Sequence, residues 1–312
     1  CKIQNRIRVL KIKEFRKRDS FLRDKPGKRP IALHVRPFAG LTVKEIDMNW
    51  KASDEERKDL IRWCVIGDSF TYLNDHLDET GYRVTEGYIS RTCRKVSGLF
   101  PINFGKNGSA TPDWLEEKLP EADLYTVLLG TNDWHTGVPL GTQEDFEKKR
   151  EGSILGNLAV ILSHIRQAGP DAKIIVMNPV ERGDFVYILD PMNHAHGSYA
   201  PDQGQMLCDI AEGILNACRN AGIPVLDLHG LSGFTPETAV RFKRVKTPDG
   251  YRELAYPDYV GVQIDYENDE YPYPPEAADY TYDGLHPSDK GNEEIACLLA
   301  DKIREVMREE CP

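Results

Sequence analysis

No apolar run in this chain approaches the ~18 residues that a bilayer-spanning helix needs, so no integral membrane segment is expected. A disulfide framework is missing too. The seven cysteines, Cys1, Cys64, Cys93, Cys208, Cys218, Cys297 and Cys311, are odd in number and show neither a CxxC pair nor zinc-like spacing. Most fall in apolar periodic segments, where a thiol acts as a small hydrophobe. Positive charge is scarce: 40 Lys+Arg against 50 Asp+Glu leave a net charge of -10, which repels polyphosphates and excludes nucleic acid as the principal partner. The deficit is uneven, because residues 1–30 carry twelve Lys/Arg and three Asp/Glu, a balance of +9, and the rest of the chain sums to -19. Internal repeats, low-complexity tracts and the G-x-S-x-G elbow of one large class of serine hydrolases are absent as well.

What remains is an α/β rhythm. From about residue 61 short apolar runs alternate with longer segments of helical period, the signature of βαβ units and a parallel sheet covered on both faces. Strands are expected at Trp63–Ile66, Ile102–Phe104, Leu124–Leu129, Ile174–Met177 and Ile223–Leu228. Helix stripes run through Leu158, Ile161, Leu162 and Ile165, through Leu207, Ile210, Ile214 and Cys218, and through Ile295, Leu298, Leu299, Ile303 and Val306. The expected fold is a three-layer α/β/α sandwich on a five-stranded, mainly parallel sheet, flavodoxin-like in class, with ligands bound beyond the carboxyl ends of the strands. Residues 1–60 break the rhythm and read as a strand-containing N-terminal extension to a domain over 61–312. Within that domain residues 253–282 read as an acidic, tyrosine-rich loop insertion. Glu253 to Asp289 holds ten Asp/Glu and no Lys or Arg.

The expected strand ends carry the chemistry. The first ends in Gly67-Asp68-Ser69-Phe70, the second is followed by Gly105-Lys106-Asn107-Gly108, the third ends in Gly130-Thr131-Asn132-Asp133, and Asp283-Gly284-Leu285-His286-Pro287 stands near the end. A serine hydroxyl needs a base to become a nucleophile, the base needs a carboxylate to fix its tautomer, and the developing oxyanion needs fixed donors. Ser69, His286 and Asp283 can supply the first three roles. The backbone N–H groups of Ser69 and Gly108 and the side-chain amide of Asn132 can supply the donors, with Gly105 a competitor for Gly108.

These four blocks, in this order, resemble the SGNH or GDSL family of serine esterases and acylhydrolases. The resemblance spans about residues 61–310 and includes Pro139-Leu140-Gly141-Thr142, Pro170-Asp171-Ala172-Lys173 and Ile223-Pro224-Val225-Leu226-Asp227-Leu228. It departs at Phe70, where the family more often has Leu. The resemblance implies a carboxylic ester hydrolase that works through a Ser-His-Asp triad and an acyl-enzyme, without metal or cofactor.

Around the motifs, Trp134 and His135 follow the oxyanion asparagine and are candidates to line the substrate site. Tyr271 and Tyr273, in the acidic segment, are candidates to stack on a sugar. His194 and His196 look like a metal pair but have no third ligand at a recognisable spacing, so no metal site is expected. Asp68 and Asp133 are expected to hold turns. The expected substrate is a short-chain ester, O-acetyl groups on carbohydrate in particular. A lipid-directed acylhydrolase (lysophospholipase- or thioesterase-like) and an O-acyltransferase are the alternatives, and a non-catalytic glycan-binding module is opposed by the complete triad. Oligomeric state is not readable. Localisation stays open between a soluble exported or cell-envelope protein, with a signal segment preceding Cys1, and a cytoplasmic one.

Overall fold

The computed structural model describes residues 60–308. The extension expected over residues 1–60 lies almost wholly outside the described residues. The described chain opens with β1 (Ile61–Gly67), the short helix α1 (Ser69–Tyr72), α2 (Tyr88–Lys95), β2 (Leu99–Gly105), β3 (Leu124–Leu128) and α3 (Thr131–Thr136). It continues with α4 (Gln143–Glu147), α5 (Ile154–Ala168), β4 (Lys173–Met177), the short pair β5 (Phe185–Val186) and β6 (His194–Ala195), and α6 (Leu207–Asn220). β7 (Val225–Leu226), α7 (Leu228–Leu231), α8 (Pro236–Ala239), the hairpin β8 (Lys243–Thr247) and β9 (Gly250–Leu254), and α9 (Asp289–Arg308) complete it.

The main sheet has five strands in the order β2-β1-β3-β4-β7, and every pairing in it is parallel. Strand alternation sends successive side chains to opposite faces. Cys64, Ile66, Tyr125, Val127, Ile174 and Val176 meet α5 and α6 on one face, through Leu158, Ile161, Ile165, Ile210 and Ile214. On the other, Trp63, Val65, Leu124, Leu128, Ile175 and Met177 meet α2 and α9, through Tyr88, Ile89, Ile295, Leu299 and Ile303. Both faces are therefore apolar, as a covered parallel sheet requires. The fold is the expected three-layer α/β/α sandwich.

The last strand is shorter than the apolar run Ile223–Leu228 suggests. Its pairing with β4 covers only Val225 and Leu226, because the Asp227 side chain accepts from Gly230 N–H and starts α7 at Leu228. The acidic segment also differs from a free loop. It begins inside β9, antiparallel to β8, and its tyrosines form a third apolar cluster of Val186, Val240, Tyr259, Tyr273 and Ala277, flanked by Tyr256, Tyr266 and Tyr271. Among the described residues no helix is long and apolar enough to cross a membrane.

Candidate active site

In a sheet of order 2-1-3-4-5 the winding reverses between the first and third strands, and a crevice opens at their carboxyl ends. Ser69 follows β1 and Asn132 follows β3, so the two flank that crevice. The turn into Ser69 is tight: a Cβ on Gly67 would come within 2.1 Å of Thr71 Oγ1 and 3.0 Å of Leu128 O. Asp68 caps the new helix, its Oδ1 accepting from Phe70 N–H at 3.0 Å, while its backbone carbonyl accepts from Thr71 and Tyr72. As the first residue of α1, Ser69 has an N–H with no partner inside its own helix.

His286 Nε2 lies 2.9 Å from Ser69 Oγ, and His286 Nδ1 lies 2.7 Å from Asp283 Oδ2. A carboxylate only accepts, so Nδ1 carries the hydrogen and Nε2 turns its lone pair to the serine hydroxyl. Asp283 is fully buried, and its Oδ1 also takes the Leu285 and His286 backbone N–H groups at 3.0 and 2.7 Å. The carboxylate thereby folds the turn that carries His286. Gly284 makes this turn possible at φ +91°, where a Cβ would strike Asp184 O at 1.8 Å. The imidazole is boxed by rings: Phe185 meets it edge-on at 5.4 Å, Tyr282 stacks at 6.0 Å and Phe70 lies at 6.1 Å. Phe70, the departure from Leu, thus adds an aromatic wall.

The two candidate glycines separate by geometry. A Cβ on Gly105 would sit 2.3 Å from Tyr72 N, so this glycine lets β2 approach the helix of Ser69. Gly108 has φ +70°, is exposed, and has nothing within 4 Å of its Cβ position. Asn132 Nδ2 donates to Ser109 O at 3.0 Å and stands 3.5 Å from Asp68 Oδ2. Burial is the main cause that lifts the Asp68 carboxyl to about 7, partly offset by its bond from Phe70. Burial also raises the Asp133 carboxyl, which accepts from Thr111 N–H and Oγ1 and holds the loop after β2. Both aspartates therefore bind their turns.

The proposed substrate-binding residues fare differently. Trp134 is wholly buried and its Nε1 donates to Gln205 O at 2.8 Å, because its side of α3 faces the core; it cannot line an open site. His135 is half exposed and its Nδ1 lies 2.7 Å from Asp202 Oδ2. Tyr273 is also wholly buried, with its hydroxyl on Asp184 O, and the Tyr271 hydroxyl donates to Val186 O at 2.7 Å. The Tyr273 ring therefore presents no sugar-stacking face, whereas the half-buried Tyr271 spends its hydroxyl on β5. The covalent closeness of their segment to Asp283 suggested otherwise, yet their hydroxyls point to β5 backbone. His194 stacks on Tyr266 at 4.0 Å, and among the described residues no group of three or more His, Cys, Asp or Glu is placed to hold a metal. Sequence reasoning missed Arg182, Asp184, Asp202 and Lys243, which share no spacing motif and meet only through the loops after β4.

The family model for GDSL-like lipases and acylhydrolases matches residues 65–294, and the chain belongs to that family. It is a carboxylic ester hydrolase. The chain is similar to a solved structure described as a possible lipase from Chitinophaga pinensis, at 44% identity and TM-score 0.77, over 79% of this chain and 99% of that one. A second solved structure, 22% identical with a TM-score of 0.55, covers 80% of this chain and 98% of its own and shares the fold. A more remote likeness is the native aryl esterase of M. smegmatis, 14% identical with a TM-score of 0.44, over 79% and 99% of the two chains. No curated protein matches.

Proposed function

We propose that Ser69 is the nucleophile of a serine esterase that removes short acyl groups, acetyl in particular, from polyhydroxylated carriers. The observation that carries this reading is the continuous hydrogen-bond chain Ser69–His286–Asp283. Ser69 Oγ attacks the acyl carbonyl as His286 Nε2 takes its proton, and Asp283 stabilises the resulting imidazolium through Nδ1–H. The carbonyl oxygen, now an anion, is held by the N–H groups of Ser69 and Gly108 and by Asn132 Nδ2. Collapse breaks the bond to the alcohol, which leaves with the proton from Nε2. Water then attacks the acyl-serine, gives its proton to Nε2, and releases the carboxylic acid as Ser69 recovers its hydrogen. No step is routed through a metal or cofactor. Residues 61–312 form the catalytic domain in this reading, with residues 1–60 an extension.

A short acyl group is supported by the space beside the base. The cavity lined by Phe70, Leu73, Leu77, Val84, Tyr282 and His286 measures ≈ 10 Å³, room for one water at most, so it offers no channel for a long acyl chain. One observation favours a second reading, a lipid-directed acylhydrolase. Tyr82, Leu189 and Met192 are 81%, 58% and 62% exposed on two loops that meet where Gly81 packs on Ile188. A panel of acetyl to long-chain p-nitrophenyl esters and acetylated sugars, run on wild type and Ser69→Ala, decides between them. The proposal expects fluorophosphonate to label Ser69 and kcat/KM to fall with acyl length. Labelling of another serine removes Ser69 from the mechanism, and preference for eight or more carbons moves the substrate to lipid.

A further inference from the structure

Arg182 follows β4 by five residues and is 97% buried, being only 3% exposed. Its backbone is pinned from both sides by Ser198: Arg182 N–H donates to Ser198 Oγ at 3.0 Å, and Ser198 N–H to Arg182 O at 3.0 Å. The guanidinium lies over the buried Trp134 ring, 4.9 Å from its centroid, and donates through Nη2 to His196 O at 2.9 Å. Its Nε is shielded from solvent and has no partner. A buried donor without an acceptor costs about 1–3 kcal/mol, more when charged. Burial pulls the guanidinium down to about 10, so it keeps its charge at neutral pH. Asp202, Asp184 and Asp283 all act on it electrostatically, and none accepts a hydrogen bond from it.

Two imidazoles meet at Asp202 beside this arginine's partners. His196 meets Trp134 edge-on at 5.6 Å and is 40% exposed, with Nε2 3.7 Å from Asp202 Oδ2. His135 shares the same carboxylate oxygen at 2.7 Å. One turn of α3 separates His135 from Asn132, which puts their side chains on one helix face. On the other side, the Arg182 loop runs directly into β5. There Val186 N–H donates to Asp283 O at 3.0 Å and Asp184 O packs against Gly284. The cluster is therefore bounded by the candidate oxyanion asparagine and by the turn of the candidate base.

We propose that Arg182, His135, His196 and Asp202 form the subsite for the alcohol portion of the ester, and that this portion is a polyol of the saccharide type. The assignment rests on the serine-esterase reading above. Its chemistry comes from the mixed set of groups on the exposed side: the imidazole N–H groups of His135 and His196 donate, and the Asp202 carboxylate accepts. A hydroxyl does both and matches the patch, whereas a phosphate or carboxylate would face Asp202 at close range. Arg182, shielded from solvent, is the fixed support that holds the His196 carbonyl over Trp134, and the two exposed imidazoles meet the substrate.

The test compares 6-O-acetylglucose, which keeps its other hydroxyls free, with p-nitrophenyl acetate in wild type, His135→Ala, His196→Ala and Arg182→Gln. The histidines are exposed, so their variants keep the experiment readable if Arg182→Gln does not fold. Loss of subsite contacts should raise KM for 6-O-acetylglucose about tenfold with kcat within about threefold, and should lower its kcat/KM relative to p-nitrophenyl acetate by a similar factor. Unbound methyl glucoside should also inhibit p-nitrophenyl acetate hydrolysis competitively in wild type and less in either histidine variant. Fluorophosphonate labelling of Ser69 in every variant separates the two readings. Labelled enzyme with an unchanged substrate ratio overturns the subsite alone, and failure to label wild type at Ser69 overturns both.

Discussion

Lys243→Met should be among the most destabilising single changes outside the sheet. Lys243 is 2% exposed and its Nζ lies 2.8 Å from Asp184 Oδ2. Tyr259, Tyr273 and Tyr266 surround the ammonium at 5.4, 5.8 and 6.0 Å from their ring centroids. Removing one partner of a buried ion pair leaves the other charge uncompensated, at a cost of about 3–5 kcal/mol. For a domain of this size each kcal/mol moves Tm by about 2–4 °C, so the expected loss is roughly 6–20 °C. Lys243→Met combined with Asp184→Asn should recover at least about 2 kcal/mol of it, because neither charge is then stranded. An asparagine oxygen can still accept the Gly197 N–H that Asp184 Oδ1 holds at 2.9 Å. Urea unfolding at pH 7, with m compared across the four proteins, measures this cycle. A single variant within about 1 kcal/mol of wild type, or a double variant as unstable as the single, would refute the account of the pair as a buried clamp.

Other expectations concern the site itself. Asn132→Ala should lower kcat about 10²–10³-fold with little change in KM, since its donor acts mainly in the transition state; an unchanged kcat in steady-state assays removes it from the oxyanion site. Asp283→Asn should lower kcat about 10⁴-fold by turning an N–H toward Nδ1 and spoiling the tautomer, and near-normal turnover by a folded variant would contradict the assigned chain. Asp68 makes stability pH-dependent. Its folded carboxyl titrates near 7, above the ~3.9 of an unfolded chain. The folded state thus holds a proton that the unfolded state has released, and this contribution, full below about pH 4, is lost as pH rises through about 7. Asp68→Asn should therefore gain on wild type between pH 5 and 7.5 in urea melts, and a difference that stays flat across that range would show that Asp68 is already charged.

The legible part of the protein is the part built from local patterns. The strands through Trp63–Ile66, Leu124–Leu129 and Ile174–Met177 are covered on both sides, so each is a short continuous apolar run that composition alone makes visible. Ser69 and Asn132 stand in short blocks because each follows a strand by a specific turn, and Asp283 and His286 because they share one tight turn before α9; turns need Gly and Asp at fixed offsets. The tyrosines of the acidic segment misled the reading, since alternating Tyr, Pro and carboxylates look the same whether their rings face solvent or a third small core. Tyr273 shows the difference: its ring is buried around Lys243 and its hydroxyl is spent on Asp184 O. Arg182 was illegible for another reason. Its significance is the absence of a partner for Nε, and an absence has no spacing.

In the proposed reading, chemistry and carrier recognition are housed on different parts of the frame, and this bears on how each can change. Ser69 and Asn132 extend directly from β1 and β3, whose parallel register pairs Gly67 with Leu128. Their separation is set by sheet hydrogen bonds that the substrate does not touch. Asp283 and His286 share one turn whose carboxylate binds three of its own donors, two backbone N–H groups and Nδ1. Of the proposed carrier groups, Arg182, His196 and Asp202 lie instead on the segment from 182 to 202, and His135 on α3. Two ties join the halves: α3, which carries both Asn132 and His135, and the bond from Val186 N–H to Asp283 O. Substitutions at His196 act through neither tie and should alter KM alone. Substitutions at Asp184 or Val186 pull on the Asp283 turn, so they should alter kcat even for an ester whose alcohol is too small to reach the loop.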